Sequence, residues 1–326
     1  MFGSSSHRVV DAIARRVFST VVTLLGVSIV IFVILRLLPG NAITAQLGVN
    51  AGLLSPAQLK SLDHFYGIGQ PALEQYTSWL GSTLTGNLGV SLSTQESVST
   101  LIGQALPVTL ELGIVALVLG VLIGVGLGLL GALRPGRIGD DVGQGVAVIG
   151  LGVPSFVLGT GLVTFLSSQF HYFPSSQGWV SLFHDPWLNV QQVFFPALVL
   201  SLGIGAAIMR TTRAAVLEVS SQSFVRTARG KGVSGRAIVW RHLLLNALVP
   251  IVTMSGIQLG YLLGGTVIVE QIYVLPGLGR LLVTSIDNRD FPVVQSVTIL
   301  FATGFVLVNM LVDVACSFID PRARDR

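Results

Sequence analysis

Long apolar runs alternate with short polar breaks along this chain. Six runs stand out, at about 17–38, 107–133, 142–166, 195–209, 251–269 and 293–314. A helix crossing a bilayer needs about 20 mostly apolar residues, and these runs approach or exceed that length. Each therefore predicts a transmembrane helix. Pro154 lies inside the third run, where a missing backbone N–H is expected to kink the helix. Residues 39–104 form the longest segment between spans. Within it, Ser55-Pro56-Ala57-Gln58 has the form of a helix start, with Gly67 as its end. A second helix is predicted from Pro71 through Tyr76, Trp79 and Leu80. The fold class is all-α: a polytopic membrane protein with six transmembrane helices and a helical insertion after the first. The expected division is a lead at 1–16, a first helix at 17–38, an extracytoplasmic helical segment at 39–104, and a core at 105–326 holding the other five spans.

Composition agrees with the pattern. Of 326 residues, 51% are hydrophobic and only 10% charged, and the mean hydropathy is +0.77. A soluble domain of this size would carry roughly 25% charged residues. The first run is too long for a signal-peptide core, so it reads as a retained helix. A single cysteine, Cys316, excludes an intrachain disulfide.

Charge then sets orientation. With six spans, the loops sort into two sides, and fifteen of the 19 lysines and arginines fall on one of them. Only Arg36, Lys60, Arg280 and Arg289 fall on the other. The positive-inside rule places both termini and the basic loop 210–250 in the cytoplasm. The net charge of +4 is distributed by topology and forms no nucleic-acid patch. Membrane lipids are the expected surroundings, and no nucleic acid is expected as a partner.

Five of those fifteen cations lie in Phe224–Pro250, FVRTARGKGVSGRAIVWRHLLLNALVP. Arg226, Arg229, Lys231, Arg236 and Arg241 occur there without an acidic residue. Local chemistry predicts two short helices with a sharp joint. Ser223 would cap Phe224–Lys231, Gly232 would end it in the left-handed conformation, and Ser234 would cap the next helix. Pro250 would mark the junction of that second helix with the following span. Composition alone leaves two readings open, an ordinary cytoplasmic loop or a docking surface for another protein.

Other candidates are weighed by context. Gly126, Gly128 and Gly131 spell a G-x-G-x-x-G, but inside an apolar span and without a βαβ unit. Glycines spaced by four, at 120, 124 and 128 and at 256, 260 and 264, instead predict close helix packing. Gly230-Lys231 lacks the Ser or Thr and the upstream glycine of a Walker A loop, so any ATP would be bound by another chain. Glu111 and Asp313 sit in apolar surroundings and are candidates for a proton or substrate path, although both lie near span ends. Glu270 reads as interfacial. His171 and His184 lack ligand spacing, and no metal site or catalytic motif is expected.

Phe224, Val225-Arg226-Thr227-Ala228-Arg229-Gly230-Lys231-Gly232, then Arg241-His242, Asn246-Ala247 and Pro250 closely resemble the signature loop of ABC-importer permeases of the dipeptide and oligopeptide type. The resemblance continues in order along nearly the whole chain. It includes Leu38-Pro39-Gly40, Pro107-Val108-Thr109-Leu110-Glu111-Leu112, Val153-Pro154-Ser155-Phe156, Pro276-Gly277-Leu278-Gly279-Arg280 and Asp290 with Pro292-Val293-Val294-Gln295. Asn41-Ala42 departs from the family's Asp-Pro. The resemblance implies a type I importer permease (MetI-like) fold in the bacterial cytoplasmic membrane. It implies a homologous second permease subunit, two ABC ATPase subunits that bind ATP and Mg, and an extracytoplasmic substrate-binding protein. It implies no enzyme activity in this chain and no cofactor of its own. Phe224, Val225, Arg226, Thr227, Ala228, Arg229, Lys231 and Gly232 become the ATPase-coupling helix, with the charges and a small face of Phe224, Val225 and Ala228 offered to the ATPase. Arg241, His242, Asn246 and Pro250 support that loop. Peptides are the implied cargo, with nickel, haem or glutathione as alternatives. A proton-coupled carrier using Glu111 or Asp313 is the rival class.

Overall fold

The computed structural model describes residues 4–37, 70–172 and 178–319. The helix expected at Ser55–Gly67 lies outside them. Among the described residues the regular elements are helical, apart from one isolated bridge between Val90 and Ser97. They are α1 (Ser4–Leu37), α2 (Ala72–Leu84), α3 (Val98–Leu133), α4 (Ile138–Gly152), α5 (Ser155–Phe170), α6 (Pro186–Ser220), α7 (Ser223–Gly230), α8 (Gly235–Ile238), a π-helical stretch Val239–Leu244, α9 (Leu245–Ile272), α10 (Leu278–Asp287) and α11 (Phe291–Ile319). Among the described residues, five helical segments are long and apolar enough to cross a membrane, and α4 with α5 makes a sixth if the bent pair is one span.

Several boundaries differ from the sequence expectation. The second span begins at Val98 and carries Pro107 inside it. The fourth, α6, has 35 residues, with Pro196 inside it. At 1.5 Å per residue it is about 52 Å long, well beyond the roughly 30 Å hydrocarbon core, so polar residues such as Arg210 continue the same helix. The third is not one kinked helix. α4 and α5 meet at 104°. The residue before a proline is pushed out of the helical region, and Val153 is extended, at φ −99° and ψ 122°. That ends α4, and Pro154 then serves as the N-cap of α5.

The chain divides into two compact units, Met1–Ala105 with Leu281–Val306, and Leu106–Arg280 with Leu307–Arg326. In the first, α1 packs on α2 through aromatic rings. Phe32 stands edge-on to Tyr76 at 5.1 Å and stacks on Trp79 at 6.1 Å. Ser28 and Tyr76 share a hydrogen bond of 2.8 Å. Arg36 lies over the Phe32 ring, 3.5 Å from its centroid, and donates to the Gln75 side chain. Asp290, fully buried, accepts from the Ser91 hydroxyl at 2.5 Å, the Leu92 and Ser93 amides at 3.1 and 3.3 Å, and the Ser93 hydroxyl at 2.8 Å. A buried carboxylate is tolerable only with such a set of donors.

In the second unit α6 is the central helix. Of its most apolar 18 residues, 67% are buried, against 11% for α1. α4 and α9 pack along it, and α5 packs on α9. Val108, Leu112 and Ala116 of α3 join Ile204, Ile208 and Val216 of α6 and Ile251, Leu262 and Val269 of α9 in one core. The glycine stripe of α3 does what its spacing predicts. A Cβ on Gly120 would lie 2.6 Å from Ile204, one on Gly124 2.7 Å from the Gly205 carbonyl, and one on Gly128 2.7 Å from the Met209 carbonyl. The α9 stripe is only partly engaged: Gly256 abuts Val312 of α11, while Gly264 has open space beside it. Tyr172, after α5, donates to the Gln191 carbonyl, and burial pushes its phenol up to about 12, so it stays a neutral donor.

Candidate functional site: the basic loop and the carboxylates around it

The loop after α6 is built by backbone chemistry. Gln222 is the N-cap of α7, and Ser223 is its first residue rather than its cap. The C-terminal end is a Schellman motif: the Val233 amide donates to the Ala228 carbonyl at 3.2 Å, and the Gly232 amide to the Arg229 carbonyl at 3.0 Å. Gly232 has φ +76°, the left-handed value expected of it. Ser234 caps α8 by accepting from the Ala237 amide. The second helix does not stop at Pro250. It passes through the π-helical stretch into α9, and Pro250 lies inside that helix. A π turn takes an extra residue without breaking the helix, and Pro250 lies six residues beyond that stretch, within α9.

The faces of α7 divide sharply. Val225 and Ala228, three residues apart, are buried in this chain's own core, Val225 completely and beside Ile238 and Leu243. They therefore cannot provide a packing face for a partner, which corrects the sequence expectation. Arg226, Thr227, Arg229 and Lys231 are exposed, as is Phe224, whose ring lies 6.3 Å from that of His242. Arg226 donates to the Ser221 carbonyl at 3.1 Å. Arg241 and Asn246 are exposed, and the Asn246 amide donates to the His242 carbonyl at 2.6 Å.

Two polar anchors escaped the sequence reading. Asp140, in the first turn of α4, receives Arg213 of α6 through two bonds of 2.7 and 2.9 Å, and the Gly136 amide at 3.0 Å. The other is Glu270, which is fully buried rather than interfacial. Its carboxylate accepts from the Thr109 hydroxyl at 2.8 Å, from the Arg280 amide at 3.1 Å and from the Gly279 amide. The Thr109 hydroxyl in turn accepts from the Leu278 amide at 2.8 Å. Gly277 and Gly279 lie where a Cβ would strike the carboxylate. The Pro276–Arg280 loop is thus wrapped around one acidic side chain. Glu111 is half-buried and hydrogen-bonds Asn189, while Asp313 is exposed on α11.

Comparison with known proteins identifies this architecture. Residues 9–113 match the N-terminal family described as "Binding-prot-dependent transport system membrane comp, N-term". Residues 120–325 match "Binding-protein-dependent transport system inner membrane component". The chain is 38% identical over 314 residues to a probable peptide ABC transporter permease protein, y4tP, of Sinorhizobium fredii, covering 96% of this chain and 98% of that one. It is 35% identical over 312 residues to the glutathione transport system permease protein GsiC of Salmonella choleraesuis, with the same coverage. Its fold matches a chain of the inward-facing MetNI methionine ABC transporter, with a TM-score of 0.54 and 21% identity over 68% of this chain and 97% of that one. The helical core with a broken third span is the MetI-like type I importer permease fold. The chain belongs to the binding-protein-dependent transport system inner membrane component family, as a membrane-spanning ABC-importer permease.

Proposed function

We propose that this chain is one half of the transmembrane pore of an ATP-driven importer of short peptides. It would pair with a homologous permease and dock two ATPase subunits, which bind ATP and Mg, through α7. An extracytoplasmic binding protein would deliver cargo. Both termini and α7 would face the cytoplasm of a bacterium, as the positive-inside count implies. The observation that carries this reading is the construction of α7. Its apolar side is anchored in the core by Val225 and Ala228, and Arg226, Thr227, Arg229 and Lys231 project from a short rigid helix. A cationic helix that cannot shift relative to its own bundle suits transmission of a push from a docked subunit. Peptide cargo is supported by the similarity to permeases named for peptide and glutathione transport.

The first test is purification of the tagged chain from its host in mild detergent, with mass spectrometry of its companions. A second permease, two Walker-motif ATPases and a binding protein are expected. Recovery of the chain alone under several gentle conditions, with uptake that collapses with the proton gradient, would establish the proton-coupled class instead. A second test is Gly232→Val. A β-branched residue at φ +76° costs about 1–2 kcal/mol locally. The variant should insert and assemble, hydrolyse ATP, and fail to link hydrolysis to uptake. Wild-type transport per ATP would remove the Schellman joint from the coupling path.

A further inference from the structure

We infer that one face shared by α4, α6 and α9 is a water-filled passage, and that Arg210 and Glu218 at its loop-proximal end take the carboxylate and ammonium ends of a zwitterionic solute of about tripeptide length. The cargo class rests on the importer reading above; the aqueous passage rests on separate observations.

The first is a cleft. About 620 Å³ opens between Leu151 of α4, Arg210 to Glu218 of α6, and Pro250 and Met254 of α9. That volume lies within the roughly 300–1,000 Å³ typical of small-molecule sites. A narrower pocket of about 170 Å³ lies along the same three helices, at Gly150, Gly203, Gln258 and Tyr261. On α6 the lining positions 203, 207, 210, 214 and 218 recur every three or four residues, so they form one stripe. The stripe from 199 to 218 spans about 28 Å along the axis and runs from within the fourth span to the loop-proximal end of α6.

The second observation is polarity at depth. Gln258 and Tyr261 lie in the middle of an apolar helix, Tyr261 is 73% exposed, and neither side chain has a hydrogen-bond partner among the described residues. A polar group at bilayer depth is costly against lipid and belongs on water or protein. The opposite style of face is visible on α3, where Ile114, Val118 and Leu122 are exposed and purely apolar.

The third observation is charge. Arg213 is held by Asp140, whereas among the described residues no ion pair holds Arg210 or Glu218. Eight residues separate them, about 12 Å of helix rise. A fully extended tripeptide spans about 10 Å between its ends. Two opposite charges at that spacing on one cleft wall match the two charged ends of such a solute and reject neither.

The test uses the assembled transporter with Cys316→Ser and single cysteines, read on this chain by mass. Tyr261→Cys, in the middle of its span, should react with hydrophilic methanethiosulfonates, and Leu122→Cys should not; Ala214→Cys, midway between the two charges, reports their field. At Ala214→Cys the ratio of anionic to cationic reagent rates should fall about threefold or more with Arg210→Gln, and rise by a similar factor with Glu218→Gln. In reconstituted uptake, Arg210→Gln should raise KM for trialanine several-fold and leave trialanine amide unchanged. Tyr261→Cys as inert as Leu122→Cys would overturn the passage, and a reagent ratio indifferent to both charges would overturn the charged site. Equal effects of Arg210→Gln on acid and amide would overturn the end-group assignment. If the wild type takes up neither trialanine nor glutathione, the peptide reading fails, while the thiol rates still decide the passage.

Discussion

A carboxylate sealed among apolar side chains survives only if donors surround it, and Glu270 gathers them from a loop and from a neighbouring helix. Thr109→Val would remove one donor from Glu270 and the acceptor of the Leu278 amide together. A stability loss of about 1–3 kcal/mol is expected, seen as a lower melting temperature of the detergent-solubilised complex. Thr109→Ser should restore it, and a Val variant that melts like wild type would remove the hydroxyl from the account. Thr109 and the Pro276–Arg280 run were visible as family residues and Glu270 as an acid at a span end, yet their union was not. Residue 109 precedes residue 270 by 161 positions, and a linear hydropathy pattern can register only that Glu270 sits at the end of an apolar run. The same limit hid Asp140 with Arg213. Each looked like a polar residue at a span end, and only the close approach of α4 and α6 makes them a pair. Gly232, by contrast, was legible, because its left-handed backbone is a local demand that glycine meets locally.

At the level of elements, the small-residue stripe of α3 makes a sharp discrimination. Gly124 touches the backbone of α6, whereas Gly126, two residues on, has nothing within 4 Å of its added Cβ. Gly124→Val should therefore destabilise by about 1–3 kcal/mol through overpacking, and Gly126→Val should be nearly silent. Thermal unfolding of the two variants side by side checks this, and equal effects would mean the stripe is not the contact. The spacing of four revealed the stripe, while its failure at Gly264 depends on which helix happens to lie opposite. Prolines show the same division. Pro154 breaks its span, with Val153 extended before it, while Pro107, Pro196 and Pro250 stay inside helices. Sequence marks where a backbone hydrogen bond is lost, and packing decides whether the helix bends there. The span count and the all-α class were legible because they depend on apolar length, which the bilayer itself dictates. The inward turn of Val225 and Ala228 was not, since an eight-residue amphipathic helix has an apolar side whichever way it faces.

For the whole molecule, the proposed assembly makes α7 the place where force enters. Charge reversal there, with Arg226→Glu and Arg229→Glu together, should leave the chain in the membrane and strip the ATPases from it during purification. Retention of stoichiometric ATPase would place the docking surface elsewhere. The link between α7 and α6 governs how such a push travels. Only Ser221 and Gln222 separate the two helices, and their amides are tied back to the Glu218 and Val219 carbonyls at 3.2 and 3.1 Å. Mechanically this is a joint without backlash: a tilt imposed on α7 is delivered to a shaft about 52 Å long. That shaft has Asp140 pinned to its side and glycine backbones seated against it. In the proposed assembly a push on α7 would therefore carry α3 and α4 along with α6 as one body.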